Sequence, residues 1–341
     1  MVGTMRRWTI DGYGRGRLHL GTAPIPEPGP GQVLARVQAV SLNYRDKLMI
    51  EDGMGVPLAF PFVPGSDMSG EVQAVGDGVS RFKPGDRLIS TFMPGWIDGT
   101  TGGSARHPSY ETLGGFHPGV LAEYVAFPED WFSAAPRKLD DAEASTLPVA
   151  GLTAWFALVE RGGLRAGQTV LVQGTGGVAL FGLQIARAHG AEVIVTSGDD
   201  GKLARAKALG ATHGINRITS DWVEKVYEIT GGRGADHILE LAGGANFGRS
   251  VEAVAVGGRI SVIGLLEGLE ISGPSVPLLL KSPVVQGIST GHRRALEDLV
   301  RAVDSTGIRP VVDRQYGFGD LPAALDHLDR GPFGKLVLAL G

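Results

Sequence analysis

The sequence of 341 residues contains no cysteine. That absence excludes disulfides, thiolate nucleophiles and cysteine-ligated zinc together. No apolar run approaches the ~18 residues that span a bilayer, and the start, "MVGTMRRWTIDGYG", lacks the uninterrupted apolar segment of a secretory signal. A cytoplasmic protein without a membrane partner is therefore expected, and no structural weight attaches to "MVGT" before Met5. An excess of basic charge is also lacking: 32 Lys and Arg stand against 36 Asp and Glu, giving a formal net charge of −4. With no basic cluster to track a phosphate backbone, nucleic acid is not expected as a partner. The 53 glycines are dispersed at turns and form no repeat.

What is present suffices for two cores. Apolar residues make up 43% of the chain, and its length points to two domains of roughly 100 to 200 residues each. From Gln32 to about Ala126, short apolar runs alternate with turn signals, among them the tight turn Pro84-Gly85-Asp86. This pattern predicts a compact, barrel-like β module. Phe92 to Gly119 reads as a long loop of Gly, Pro, Ser and Thr within it. After Asp140 the pattern predicts two helical pieces broken near Pro148. It then predicts strands at Thr169–Gln173, Glu192–Thr196, His237–Leu241 and Arg259–Ile263, alternating with helices at Val178–His189, Lys202–Leu209 and Phe247–Val254. Such alternation is that of a parallel, doubly wound sheet. The final segment ends in a strand expected to rejoin the first module.

In "GTGGVA", Gly174, Gly176 and Ala179 match G-x-G-x-x-G/A between an apolar strand and an apolar-faced helix, with Gly177 and Val178 also read as cofactor-binding. The first glycine permits a tight turn and the second lets backbone approach a pyrophosphate. Ala179 lets the helix pack closely on the strand, so that the helix N-terminus faces the anion. A dinucleotide site is the expectation.

The chain resembles the medium-chain dehydrogenase/reductase superfamily, in particular its zinc-independent branch, which includes the quinone oxidoreductases. The likeness is carried in family order by "NYRD", "VPGSDMSGEV", "RFKPGDRLI", "GVLAEYV", "LPVAGLTAW", "VLVQGTGGVALFGLQIARAHGA", "KALGATHGIN", "GGRGADHILE" and "FGKLVL". It implies an α/β protein in which a Rossmann doubly wound parallel sheet is inserted into a GroES-like β-rich catalytic domain. The expected boundaries are 1–145 for the first part of the catalytic domain, 146–282 for the nucleotide domain and 283–341 for the return segment.

Where zinc-dependent relatives place their ligands, this chain has Asn43, the pair Ser66-Asp67, and Val149. The stretch matching the structural zinc lobe, Pro94 to Gly119, has no cysteine. A catalytic zinc takes about three protein ligands, so no metal site is expected. Without a Lewis acid, acceptors that delocalise the incoming charge become favoured. The expected activity is hydride transfer from NADPH to a quinone or an activated enone or enal. Alcohol dehydrogenation or carbonyl reduction within the same superfamily is the alternative.

By resemblance, Asn43 approaches the nicotinamide ribose, with Asp46 one helical turn on. The plainer alternative is that Asn43 caps a helix and Asp46 orients a neighbouring arginine. Tyr44 is a candidate proton donor or lid. Met54 stands near a position where mitochondrial-type enoyl reductases carry tyrosine, a departure from that mechanism. Thr153 resembles the threonine beside the nicotinamide, and backbone at Ala242, Gly243, Gly264 and Leu265 is expected to line that pocket. Phe333-Gly334-Lys335 resembles the closing motif whose lysine faces the cofactor. Trp96, Phe92 and Tyr110 are read either as substrate walls or as core.

An NAD-selective site places an acid at the tip of the second strand, but Ser197 stands there. Asp199 and Asp200 lie beyond it and are expected to cap the next helix. With Lys202, Asn216 and Arg217 nearby, NADPH is expected over NADH. Two readings from other classes remain. "GISTG" mimics a hydrolase nucleophile elbow at Ser289, with Asp313 or Asp320 and then His327 following in triad order. The other is a nucleotide-binding protein without turnover. A homodimer is expected, with "GGRISVIGLLEGLEISGPS" as a source of its edge strand.

Overall fold

The computed structural model describes residues 3–340. The chain up to Val149, joined by the segment from His292 onward, forms one compact unit, and Ala150–Gly291 forms a second.

The first unit begins with β1 (Thr4–Ile10) and β2 (Leu18–Pro24), an antiparallel pair. Thr4, in the tetrapeptide given no weight above, is thus the first residue of a strand. Ile10 and Phe62 exchange both backbone hydrogen bonds, and the Trp8 N–H donates to the Leu121 carbonyl. These bonds tie the hairpin to the module behind it. There follow β3 (Gln32–Leu42), α1 (Tyr44–Glu51), β4 (Asp67–Val75), β5 (Arg87–Ser90), β6 (Tyr124–Pro128), β7 (Phe132–Ala134) and the single turn α2 (Asp141–Ala144). Inward residues of these strands, Val33, Val37, Val72, Leu88 and Phe132 among them, form one apolar core. Phe92 to Gly119 contains no element of regular structure, as its composition predicts.

The second unit starts with α3 (Leu152–Trp155), which lies between two wide helical turns, Leu147–Gly151 and Phe156–Glu160. The expected break at Pro148 falls earlier, after Ala144. Pro148 sits in the first turn of the new helical segment, where a missing N–H costs no hydrogen bond. Next come β8 (Thr169–Gln173), α4 (Gly177–Ala188), β9 (Glu192–Ser197), α5 (Asp200–Ala208), β10 (His213–Asn216), α6 (Trp222–Thr230), β11 (Ala235–Glu240), α7 (Asn246–Ala253), β12 (Val254–Val262), α8 (Ser275–Lys281) and β13 (Val284–Gly287). All the pairings in this sheet are parallel, in the order β10-β9-β8-β11-β12-β13. Neither β10 nor α6 was among the expected elements. β10 has only Ile215 buried, so its sequence carries no alternation. α6 does carry signals, an Asp221 N-cap and a left-handed Gly231 at its end.

The chain returns through α9 (Arg293–Thr306), β14 (Val312–Gly317), α10 (Leu321–Asp329) and β15 (Lys335–Ala339). β15 pairs antiparallel with β3, placing Leu336 opposite Leu42. The resulting sheet runs β14-β15-β3-β4-β5-β7, with β6 also on β3. The fold is therefore a GroES-like β-rich domain built from both ends of the chain, with a Rossmann-type parallel sheet inserted. The insertion ends later than the expected residue 282, because β13 pairs with β12 and so belongs to the inserted sheet. Among the described residues no helix is long and apolar enough to cross a membrane.

Candidate functional site

In the parallel sheet Gln173, Ser197, Asn216, Glu240, Val262 and Gly287 all end their strands on one edge. Strand order reverses between β8 and β11, and ligands of such sheets bind in the crevice at that switch point. Gly174 takes φ +83, the left-handed turn that the motif predicts. Gly176 is the N-cap of α4, with no side chain capping the helix. A β-carbon built on it would meet nothing within 4 Å, so backbone is open to a ligand, and Gly177 and Val178 follow as the first helical residues. The Thr153 hydroxyl is buried without a hydrogen-bond partner, the state of a group that awaits one. These features fit a nicotinamide dinucleotide.

The loops after β11 and β12 touch backbone to backbone. A β-carbon on Gly264 would stand 1.7 Å from the Leu241 carbonyl oxygen, and one on Gly243 would stand 2.7 Å from the Gly264 oxygen. Ala242, Gly243, Gly264 and Leu265 are thereby brought together. At the tip of β9, the Ser197 hydroxyl accepts the Asp199 N–H at 3.2 Å. Asp199 in turn accepts the Lys202 N–H at 2.9 Å and caps α5. Asp200 is held by the Asn216 amide at 2.8 Å. The Arg217 N–H donates to the Ser197 carbonyl, and a β-carbon on Gly198 would come within 3.9 Å of its guanidinium.

A buried polar cage beneath this edge was not foreseen. Glu240 is fully buried. Its Oε1 accepts the N–H groups of Ala242 and Gly243, each at 3.0 Å, and its Oε2 accepts from Gln173 Nε2 at 3.0 Å. The Asn246 amide donates to both oxygens, and the Ser250 hydroxyl donates to Oε2. Gln173 returns the support: its own oxygen accepts the Leu241 N–H and the Asn246 amide. Polar residues ending two adjacent apolar strands, "VLVQG" and "HILEL", are the only sequence signal of this cage.

In the β-rich unit, Asn43, Ser66, Asp67 and Lys335 converge. The Lys335 ammonium donates to the Leu42 carbonyl and to Asn43 Oδ1, each at 2.5 Å. Asn43 Nδ2 lies 3.5 Å from Ser66 Oγ, which donates to Asp67 Oδ1 at 2.6 Å. Asp67 Oδ2 accepts the Val149 N–H at 3.0 Å. All three places matching zinc ligands are thus joined to one hydrogen-bonded network. Burial pushes the Asp67 carboxyl up and the Lys335 ammonium down, and their mutual attraction opposes both shifts.

Asn43 caps α1, and Asp46 Oδ2 accepts the Asn43 N–H at 2.8 Å. Asp46 is fully enclosed, and only the oxygen that accepts the Asn43 N–H has a hydrogen-bond partner. Burial pushes its carboxyl up to about 6, against the pull of Arg45. Arg45 lies 3.8 Å from Asp46 and donates to the Leu113 carbonyl at 3.1 Å. Its guanidinium also covers the Phe92 and Tyr110 rings, at 5.0 and 5.8 Å. The plainer reading of Asp46, as orienter of an arginine, describes this geometry. Tyr44 is 42% exposed, with the Lys47 ammonium 5.1 Å from its ring. Phe333 is core, its N–H on Asp313. Lys335 is also buried, its ammonium spent on Leu42 and Asn43.

Phe92 is core, at 2% exposure. Trp96 and Tyr110, with Met93, Arg106 and Phe116, line a cavity of about 960 Å³ within this unit. Met54 takes a left-handed φ of +50 between two left-handed glycines at its border. Arg293 and Arg294 donate their N–H groups to the Trp96 and Ile97 carbonyls, fastening one side of the loop to the start of α9.

The hydrolase alternative loses its base. His327 Nε2 does face Asp313, at 3.6 Å, but Nδ1 is bonded to the Tyr316 hydroxyl at 2.9 Å. Both ring nitrogens are engaged inside the β-rich unit, leaving none for Ser289. The serine itself follows β13 on the edge that carries the glycine motif.

Residues 29–137 match the family model of the alcohol dehydrogenase GroES-like domain, and residues 177–305 that of zinc-binding dehydrogenases. A zinc-type alcohol dehydrogenase-like protein of Schizosaccharomyces pombe is 37% identical over 91% of this chain and 91% of its own. The quinone oxidoreductase of Rattus norvegicus is 27% identical over 93% and 91%. Among solved structures, that of a putative alcohol dehydrogenase from Sinorhizobium meliloti 1021 shares 67% identity with a TM-score of 0.98, covering 100% of both chains.

Proposed function

The chain belongs to the medium-chain dehydrogenase/reductase superfamily of oxidoreductases, and on that premise we propose that it is a zinc-independent reductase carrying hydride from NADPH to a quinone or an activated enone or enal. The observation that carries this reading is the network of Asn43, Ser66, Asp67 and Lys335. Zinc takes sulfur, imidazole or free carboxylate donors. Here Asn43 Oδ1 is occupied by an ammonium, Asp67 spends its oxygens on Ser66 and Val149, and Val149 has no donor side chain. Among the described residues no three His, Asp or Glu gather in one place. These donors do not suit zinc.

NADPH, when bound, supplies the hydride. The chain's part is to cradle the pyrophosphate at Gly174 and Gly176, to offer the Thr153 hydroxyl, and to hold Asn43 rigid through Lys335. A conjugated acceptor spreads the added charge over its own π-system and needs less electrostatic help than a simple ketone. The neutral tip at Ser197, with Asp199 turned into the α5 cap and Arg217 alongside, supports NADPH over NADH. We further propose a homodimer. Its edge strand is β13 and not the expected "GGRISVIGLLEGLEISGPS", whose strand β12 lies inside the sheet. On that strand Val284 and Val285 are 46% and 40% exposed, apolar side chains of the kind that mark an interface.

Steady-state NADPH oxidation with a panel of quinones, enones, aldehydes and ketones tests the proposal. Turnover confined to conjugated acceptors, unaffected by chelators and with less than stoichiometric zinc by elemental analysis, is expected. Chelator-sensitive oxidation of simple alcohols would replace it with the alcohol dehydrogenase reading.

A further inference from the structure

Glu240 Oε1 accepts two backbone N–H groups, Oε2 accepts from the Gln173 amide, both oxygens accept from the Asn246 amide, and none of these donors carries a charge. N–H groups can only donate, and their convergence favours the ionised carboxylate. The donors satisfy its hydrogen bonds without cancelling its charge. In a site of low polarisability that uncancelled charge is felt at a distance. The carboxylate sits where β8 and β11 part, at the switch point of the sheet, and grips the loop that lines the crevice on the far side from Ser197. A dinucleotide whose adenosine ribose is read at the β9 tip would leave its nicotinamide to the β11 side of the crevice.

We infer that Glu240 presents a fixed negative charge to the nicotinamide end of the crevice, so that the cationic oxidised ring is held in preference to the neutral reduced one. The inference rests on the nicotinamide-nucleotide reading of this unit. Its consequence is directional. As hydride leaves the reduced cofactor the ring gains one positive charge, and a negative group already in place lowers the free energy of that change without any rearrangement. A role confined to shaping the loop needs acceptors for Ala242 and Gly243 but no net charge.

The test compares the affinities of the full-length protein for NADP+ and NADPH, by calorimetry or nucleotide fluorescence, before and after Glu240→Gln. The variant should weaken NADP+ about tenfold more than NADPH, the order expected of one charge felt through an effective dielectric of about 20. Asn246→Ala, which removes a donor and keeps the charge, should weaken both forms alike. An unchanged affinity ratio in Glu240→Gln, or a ratio shifted equally by Asn246→Ala, overturns the inference. Should Glu240→Gln not fold, Asn246→Lys, which sets a cation beside the carboxylate, decides in its place: an NADP+ to NADPH affinity ratio left unchanged overturns the inference. If NADH is the preferred nucleotide, the NAD+/NADH pair gives the same ratio. Failure to bind any nicotinamide nucleotide removes the proposed function instead, so the two failures are distinguishable.

Discussion

Lys335, on the last strand, donates its ammonium to the side-chain oxygen of Asn43, 292 residues earlier in the chain. With the ion pair of Lys47 and Asp329, this contact joins the returning segment to α1. Its charge also stands opposite two buried carboxylates, Asp67 and Asp46.

Removing that cation should therefore be costly. Lys335→Met leaves the Asp67 carboxylate without a cation in the interior and should destabilise by about 3–5 kcal/mol, read as the midpoint of urea unfolding. Asn43→Ala deletes the hydrogen bonds of one amide, the one from the Lys335 ammonium included, about 1–3 kcal/mol, and should lower turnover more than stability. Equal losses of stability in the two variants would argue against a charge-bearing role for Lys335.

Asp46 predicts a pH dependence. Its carboxyl is pushed up from 3.8 to about 6 by burial, so between those values the folded protein binds more protons than the unfolded chain. Its contribution is fully present below pH 4 and is lost as pH rises through 6. Asp46→Asn does not titrate. The stability deficit of the variant should therefore shrink by roughly 1–2 kcal/mol between pH 5 and pH 8. A deficit that grows with pH would reverse the assignment.

At the β9 tip, Ser197→Asp should lower NADPH affinity about ten- to a hundredfold and spare NADH, since the new carboxylate repels a 2′-phosphate. Lys202→Ala should weaken NADPH selectively. Wild-type affinity for NADH equal to or above that for NADPH, by nicotinamide fluorescence, would show that Ser197 does not read the ribose.

The β13 edge predicts the oligomeric state. Light scattering at micromolar concentration should give a dimeric mass, and Val285→Lys, which places a charge on an edge strand, should give a monomer with its sheet intact by circular dichroism. A monomeric wild type would remove the proposal.

Local physics made much of this protein legible in its sequence. The glycine turn at Gly174, the apolar strand Thr169–Gln173 before it and the helix after it are dictated by neighbouring residues, so pattern alone locates them. The missing cysteines and the Asn43, Ser66 and Val149 positions likewise disclose an altered ligand set. Other features depend on residues far apart in the chain. β10 has one buried residue and exists because β9 offers it hydrogen bonds. β13, bearing exposed valines, joins the inserted sheet only because β12 is there to pair with it. Lys335 is buried because β15 lays it beside Leu42, a pairing that no local propensity announces. The Glu240 cage draws on β8, β11 and α7 at once, and whether a glutamate in an apolar strand is exposed or enclosed was decided only when those three elements met.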